Sequence, residues 1–319
     1  MTRDVQFKEN QQWDWNEGGE NFTAPLSSEQ PLMEDENIDD FPVRGTRMLS
    51  DIYQRCNLTL LEPRSFHEAK KDSHWMTAME EELNMIEKNN TWELVDRPND
   101  RKIIGVRWVF RTKLNPDGSI NKHKARLVVK GYAQVAGMDY FETYAPVARL
   151  DTIRLVFSIA AQKRWKIFQL DVKSAFLNGY LKEEIFIEQP EGFVVEGHEN
   201  KVYLLKKALY GLKQALRAWN ARIDEHLLSL GFNRSLSEPT LYTKHSATDS
   251  LIVSLYVDDL LVSGSKLKEI DQFKLEMMRV FEMTDLGEMP YFLGMEIQQF
   301  QHGIFIHQLK YAKEILKKF

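Results

Sequence analysis

Cysteine is nearly absent: the 319-residue chain has one, Cys56. That excludes an internal disulfide and a zinc site built on thiolates, and a reducing compartment becomes the expectation. No run of 18 apolar residues occurs, so no membrane-spanning helix and no membrane partner are expected. The N-terminal stretch MTRDVQFKENQQWDWNEGGE has no apolar signal core, which makes the expected location cytoplasmic. Phosphate-cradling glycine patterns are missing too. There is no GxGxxG, and GSK at 264–266 lacks the upstream glycine of a P-loop. HEAKK at 67–71 lacks the second histidine of a zinc-binding helix. Internal repeats and low-complexity tracts are also absent.

What remains is a composition of 43% hydrophobic and 28% charged residues, ordinary for a globular protein. The net charge of −5 conceals a segregation. Residues 1–60 carry 12 acidic and 5 basic side chains, whereas residues 101–180 carry 15 basic and 5 acidic ones. The first stretch reads as an acidic, disordered, linker-like segment over 1–62. The second attracts polyanions.

From Ser65 the texture becomes periodic. Ser65 and Glu68 fit a capping box, and Trp75, Met79, Leu83 and Ile86 recur at helical spacing. Strands are predicted at 91–95 and 106–114. The turn NPDGS at 115–119 then returns the chain along a strand from Lys124. This hairpin carries Arg111, Lys113, Lys122, Lys124, Arg126 and Lys130. It reads either as a solvated basic hairpin or as a finger that grips phosphates. Helices follow at 152–164, 211–230 (with Gly231 as its stop), 266–282 and from 308. Strands are expected at 166–172, 185–189, 202–205, 241–245, 251–257 and 260–265, and a last hairpin over 290–307. Hairpins outnumber βαβ units, which argues an α+β fold with a largely antiparallel sheet.

Within the most hydrophobic run, SLYVDDLLVSGS at 254–265, two carboxylates sit side by side. Symmetric apolar flanks predict a tight hairpin turning at Asp258-Asp259. Asp-Asp is a poor two-residue turn, because the favoured turns need positive φ. Taken alone the pair is either a wet polar turn or a charged site. A third carboxylate, Asp171, ends another apolar strand and is the sole acidic residue between Asp151 and Glu183. If the two strands are neighbours, the three carboxylates meet. Two of them about 4 Å apart repel by roughly 4 kcal/mol at an effective dielectric near 20. Mg²⁺ relieves such repulsion, and two such ions form the clamp of in-line phosphoryl transfer.

Those residues also carry a resemblance. YVDD in a hydrophobic hairpin looks like the catalytic box of reverse transcriptases. The ordered set WVFRTKLNPDGSINKHKARLVVKGYAQ (108–134), DYFETYAPVARLDTIR (139–154), QLDVKSAFLNG (169–179), IEQPEGF (187–193), ALYGLKQALRAWN (208–220), LYVDDLLVSGS (255–265) and YFLGMEI (291–297) resembles the reverse transcriptase of copia-type LTR retrotransposons, over roughly 70–319.

The resemblance implies a right-hand polymerase with a mostly antiparallel palm sheet. Fingers would span 63–150, the palm with inserted finger elements 151–265, and the end of the palm with the start of the thumb 266–319. It implies RNA-directed DNA synthesis on an RNA template from a DNA or RNA primer with dNTPs, using two Mg²⁺ ions or Mn²⁺. Asp171, Asp258 and Asp259 would be catalytic, with the Val172 carbonyl as a further metal ligand. Lys113 and Arg126 would reach the triphosphate. Gly211, Lys213 and Gln214 would contact template and nucleotide. Phe176 matches the aromatic that blocks a ribose 2′-hydroxyl, against the alternative of an ordinary core phenylalanine. Tyr256 and Tyr291-Phe292-Leu293-Gly294 would contact primer or template, with core packing as the alternative for the last four. Leu216 and Asn220 stand where the family usually has Pro and Tyr, which puts template positioning in doubt. Such polymerases lie within Pol polyproteins, whose other segments are expected partners, and a virus-like particle or the nucleus would then join the cytoplasm as locations. The chain stops within a predicted helix and no RNase H region is legible. A second expectation is therefore a truncated relic that binds nucleic acid without polymerising.

Overall fold

The computed structural model describes residues 62–115, 119–246 and 249–316. The acidic segment up to residue 61 and the centre of the NPDGS turn lie outside the described residues.

The first periodic stretch forms two helices rather than one. Ser65 Oγ accepts the Glu68 N–H at 3.3 Å and caps only a single turn, α1 (Phe66–Ala69). The chain restarts at Asp72, whose side chain caps α2 (Ser73–Lys88) by accepting the His74 N–H at 2.9 Å. Trp75, Met79 and Ile86 of α2 are buried, as the spacing predicts.

After β1 (Trp92–Val95) and β2 (Ile103–Ile104), strands β3 (Val106–Leu114) and β4 (Ile120–Val129) form the long hairpin. Alternation gives it two unlike faces. Trp108, Phe110, Ala125, Leu127 and Val129 share the face buried with α2. The other face bears Arg111 opposite Lys124 and Lys113 opposite Lys122. Like charges directly opposed across strands are destabilising. Two are compensated, Arg111 by Glu62 at 2.9 Å and Lys122 by Glu81 at 2.7 Å. Among the described residues, no acidic group lies at ion-pair distance from Lys113, Lys124 or Arg126.

Helix α3 (Leu150–Lys163), β5 (Ile167–Val172), β6 (Tyr180–Ile187), β7 (Val202–Lys207) and α4 (Ala215–Ser229) follow. Strands β1, β7, β6 and β2 form a four-stranded sheet that shares the core of α2 and the basic hairpin. The remaining elements are β8 (Asn233–Arg234), β9 (Leu241–His245), β10 (Ser250–Tyr256), β11 (Asp259–Gly264), α5 (Leu267–Val280), β12 (Met283–Glu288), β13 (Tyr291–Phe292), β14 (Met295–Phe300), β15 (Gly303–His307) and α6 (Leu309–Leu316). The central sheet runs β12-β5-β11-β10-β9-β8 and is antiparallel throughout. Among the strands of the described residues, β2 and β6 alone pair in parallel. An α+β fold with antiparallel sheets is thus what the structure has.

One face of the central sheet is sealed. Leu170, Val172, Leu260 and Val262 pack there against Trp219, Ile223 and Leu227 of α4 and Ile270, Phe273 and Met277 of α5. On the other face, Ile167 and Leu261 pack against Ile153 and Phe157 of α3 and against Phe292 and Ile297 of the small β13-β14-β15 sheet. That cover is partial. At the end bearing Asp171 and Asp259 the same face turns polar.

Helix α4 begins at Ala215, four residues later than the periodicity predicts, because the preceding segment is a turn around Gly211 at φ 92°. A Cβ there would strike the Val129 carbonyl, and only glycine allows this approach. Gly231, at φ 83°, terminates the helix as expected. No described helix is long and apolar enough to cross a membrane.

Candidate active site

Strands β5 and β11 are hydrogen-bonded neighbours, with Asp171 opposite Asp259 in the register. Cross-strand partners in an antiparallel pair lie on one face about 4.5–5.5 Å apart at Cα. The 87-position gap between Asp171 and Asp258 in the sequence is therefore closed by strand pairing.

The turn sits one residue earlier than expected. Tyr256 pairs with Asp259, so Val257-Asp258 makes the turn and Asp259 opens β11. Val257 takes φ 55°, an outlier for a β-branched residue, costing on the order of 1–3 kcal/mol. Two tertiary bonds hold it. The buried Trp219 indole donates Nε1–H to the Val257 carbonyl at 2.6 Å, and the Val172 N–H donates to the Asp258 carbonyl at 2.9 Å. Local turn chemistry disfavours this geometry, and contacts from α4 and β5 impose it. Val172 is thereby placed beside Asp258.

The carboxylates feel one another. Asp171 is held above the usual carboxylate range first by burial and then by the Asp258 charge, with Lys124, Lys113 and Lys173 pulling it back. Asp259 is raised by burial and by Asp258 and Asp171. Gln169, two positions before Asp171 on the same face, opposes that rise by donating Nε2–H to Asp259 Oδ1 at 2.9 Å. Asp258 is exposed at the tip.

Lys113 and Lys124, on the basic face of the hairpin, are near enough to Asp171 to act on its charge. Lys124 is half-buried and held below the usual lysine range by burial and by Arg126 and Lys113. From Arg126 a chain of contacts returns to the carboxylate strand. Its guanidinium lies 4.9 Å from the Tyr210 ring centroid, and Tyr210 meets Phe176 edge-on at 5.1 Å. Phe176 lies in a 3-10 turn (Ala175–Asn178) five residues beyond Asp171, half-buried between the two larger cores.

The other predicted residues divide. Lys213 is exposed, with Nζ 3.1 Å from the Tyr140 hydroxyl and over its ring. Gln214 is fully buried and its amide is engaged inside the protein. It donates to the Asp139 carbonyl at 2.8 Å and accepts from Gln134 Nε2 at 2.9 Å. The direct nucleotide contact expected of it is not open in this conformation. Phe292 is likewise a core residue, stacked edge-on with half-buried Tyr256 at 5.8 Å. Tyr291 and Leu293 remain exposed, and Leu293 and Gly294 both take positive φ. Sequence reasoning assigned no role to Gln169, Tyr210 or Trp219, nor to Lys124 beyond its place on the hairpin. The one available signal was a polar Gln169 within an apolar strand.

The donor set suits a hard divalent cation. Two or three carboxylates share a partly dehydrated sheet end and oppose one another's ionisation. Among the described residues no group of three or more His, Cys, Asp or Glu is placed to hold a metal ion by itself. Mg²⁺ does not require one, since it usually binds through one or two carboxylates plus substrate phosphates.

The sequence pattern of the family described as "Reverse transcriptase (RNA-dependent DNA polymerase)" matches residues 89–319. The chain belongs to this reverse transcriptase family. It is 40% identical over 258 residues to the Retrovirus-related Pol polyprotein from transposon RE1 of Arabidopsis thaliana, covering 81% of this chain and 18% of that protein. It is 39% identical over 264 residues to the corresponding polyprotein from transposon TNT 1-94 of Nicotiana tabacum, covering 81% of this chain and 20% of that protein. The chain therefore spans about a fifth of the length of these relatives. A foamy viral protease–reverse transcriptase solved with double-stranded DNA superposes at a TM-score of 0.37 with 13% identity, covering 74% of this chain and 36% of that one.

Proposed function

We propose that this chain is the polymerase portion of a copia-type retrotransposon Pol polyprotein and adds deoxynucleotides to a primer 3′-hydroxyl on an RNA template. The observation that carries this reading is the register of Asp171 opposite Asp259, with Asp258 in the adjoining turn and Lys113 and Lys124 of a basic hairpin near enough to act on Asp171.

Asp171 and Asp258 would hold Mg²⁺ or Mn²⁺, with Asp259 and the Val172 carbonyl as further donors. When bound, the two ions supply Lewis acidity to the attacking hydroxyl and neutralise charge on the leaving pyrophosphate. Lys113, Lys124 and Arg126 would bind the triphosphate, three cations that have no acidic ion-pair partner among the described residues. Phe176 would form the wall against a 2′-hydroxyl. Tyr256, Tyr291, Leu293 and Gly294 would hold the primer end, with Phe292 fixing them to the core. Gln214 and Gly211 would shape the nucleotide pocket through the backbone rather than by side-chain contact. Lys213 would meet the template.

On this reading 63–150 are fingers, and 151–265 are palm. The β6–β7 pair, which shares the core of α2 and the hairpin, is the finger element inserted there. Residues 266–319 are the end of the palm and the start of the thumb. Partners are the RNA template, a DNA or RNA primer, dNTPs and other segments of the polyprotein, with the cytoplasm, a virus-like particle or the nucleus as the setting.

Primer extension on poly(rA)/oligo(dT) with Mg²⁺ tests the reading, using Asp258→Asn as control. Incorporation by the wild type and background by the variant is the expected result. Equal incorporation by both would remove the proposed site.

A further inference from the structure

We propose that Tyr210 is a positioning residue that sets sugar discrimination, by fixing the Phe176 ring and the Arg126 guanidinium against one another. The inference rests on the polymerase reading and deepens it.

The backbone of the wall is one short turn, closed by the Gly179 N–H on the Phe176 carbonyl at 3.0 Å. Phe176 sits in a single 3-10 turn that starts from Ser174 at φ 50°. Its neighbours Ala175 and Leu177 are buried, but Phe176 is only half so. An aromatic wall excludes a hydroxyl only if it cannot yield. Tyr210 supplies the abutment, edge-on at 5.1 Å with an interplanar angle of 63°. This offset geometry is the favoured one for ring pairs.

Tyr210 is itself clamped. Its carbonyl accepts the Val129 N–H at 2.8 Å, from the strand that carries Arg126. The next residue, Gly211, presses against the Val129 carbonyl where no side chain fits. The backbone of Tyr210 is therefore tied to β4, and two residues earlier the Ala208 N–H donates to the Gly179 carbonyl at 2.8 Å, at the end of the Phe176 turn.

The same ring also carries the cation. Arg126 lies 4.9 Å from its centroid, and Arg126 Nε is buried without a hydrogen-bond partner. A guanidinium held over a ring has its plane fixed, and its terminal N–H groups remain the donors that could meet an anion. One ring thus couples the group that would sense the sugar to the group that would sense the phosphates. Loss of the ring should relax both, while the carboxylates, which lie on β5, the turn and β11, keep their places.

The test is kcat/KM for dTTP and UTP on poly(rA)/oligo(dT), for the wild type, Tyr210→Phe, Tyr210→Leu and Phe176→Ala. Tyr210→Phe keeps the ring and should leave discrimination within about twofold. Tyr210→Leu should reduce the dTTP-over-UTP ratio about fivefold, the worth of one ring pair, and raise KM for dTTP several-fold with kcat nearly unchanged. Tyr210→Met, which fills much of the space without a ring, gives the same readout should the leucine variant not fold. An unchanged ratio in both ring-less variants, or a fall in kcat at constant ratio, overturns the inference. Phe176→Ala separates the two levels. If it leaves the ratio unchanged, the wall itself is misassigned. If it lowers the ratio while the Tyr210 variants do not, only the role of Tyr210 fails.

Discussion

Glu82 offers a test of how the basic hairpin is supported from beneath. It lies on α2 with 7% of its surface exposed and accepts the Leu127 N–H of β4 at 3.3 Å. Burial raises its carboxyl from 4.5 to about 6, and this outweighs the Leu127 bond and the attraction of Lys124 and Arg126. The competition can be measured. A carboxylate whose folded value is raised is fully tolerated below its unfolded value and costs stability as pH rises towards the folded one. Raising the carboxyl from 4.5 to about 6 corresponds to about 2 kcal/mol, reached once pH has passed about 6. Glu82→Gln removes that titration. Its amide nitrogen adds a cost of its own, but one that does not vary with pH. Urea unfolding of both proteins between pH 4 and 7.5 should therefore show the variant gaining about 2 kcal/mol on the wild type as pH rises. A constant difference, or one that falls with pH, would mean that Lys124 and Arg126 outweigh burial and would refute the reasoning.

Trp219→Phe keeps an aromatic ring but removes the N–H that holds Val257. Unfolding free energy should fall by about 1 kcal/mol, and kcat for nucleotide addition by about tenfold with KM for dNTP within twofold. A proportional loss in both kinetic parameters would contradict a role confined to the turn. Asp171 is raised by burial and by Asp258, so its ionisation costs stability above its unfolded value. Asp171→Asn should therefore melt higher than the wild type at pH 7.5 without added metal and match it near pH 3. Millimolar Mg²⁺ should stabilise the wild type more than this variant, and equal stabilisation would place the ions elsewhere.

Much of the fold was legible because its elements are individually amphipathic. The α2 stripe, the two faces of β3–β4 and the apolar runs of β5, β10 and β11 each state which side is buried. The adjacency of Asp171 to the acidic doublet followed from resemblance and from the cost of isolated carboxylates. Strand pairing supplied the register. The misplaced turn had a physical cause. Flanking symmetry favoured Asp258-Asp259, whereas Trp219 on a distant helix pins Val257 in a conformation that local preference opposes. The burial of Gln214 was illegible in the same way, since it depends on Gln134 and Asp139, some 75 to 80 positions upstream. Helix α2 started late because Asp72 is a second cap inside a stretch where Ser65 already satisfied the pattern. The Arg126–Tyr210–Phe176 chain left no sequence signal, because its three members come from three separate segments.

The central claim is that Asp171 and Asp258 together hold the ions for nucleotide addition. A crystal soaked with Mn²⁺, primer–template and a non-hydrolysable dNTP measures this directly by anomalous scattering. The account predicts density between the Asp171 and Asp258 carboxylates, in contact with the triphosphate that Lys113, Lys124 and Arg126 enclose. Manganese bound away from these two side chains, with triphosphate lying elsewhere, would contradict it.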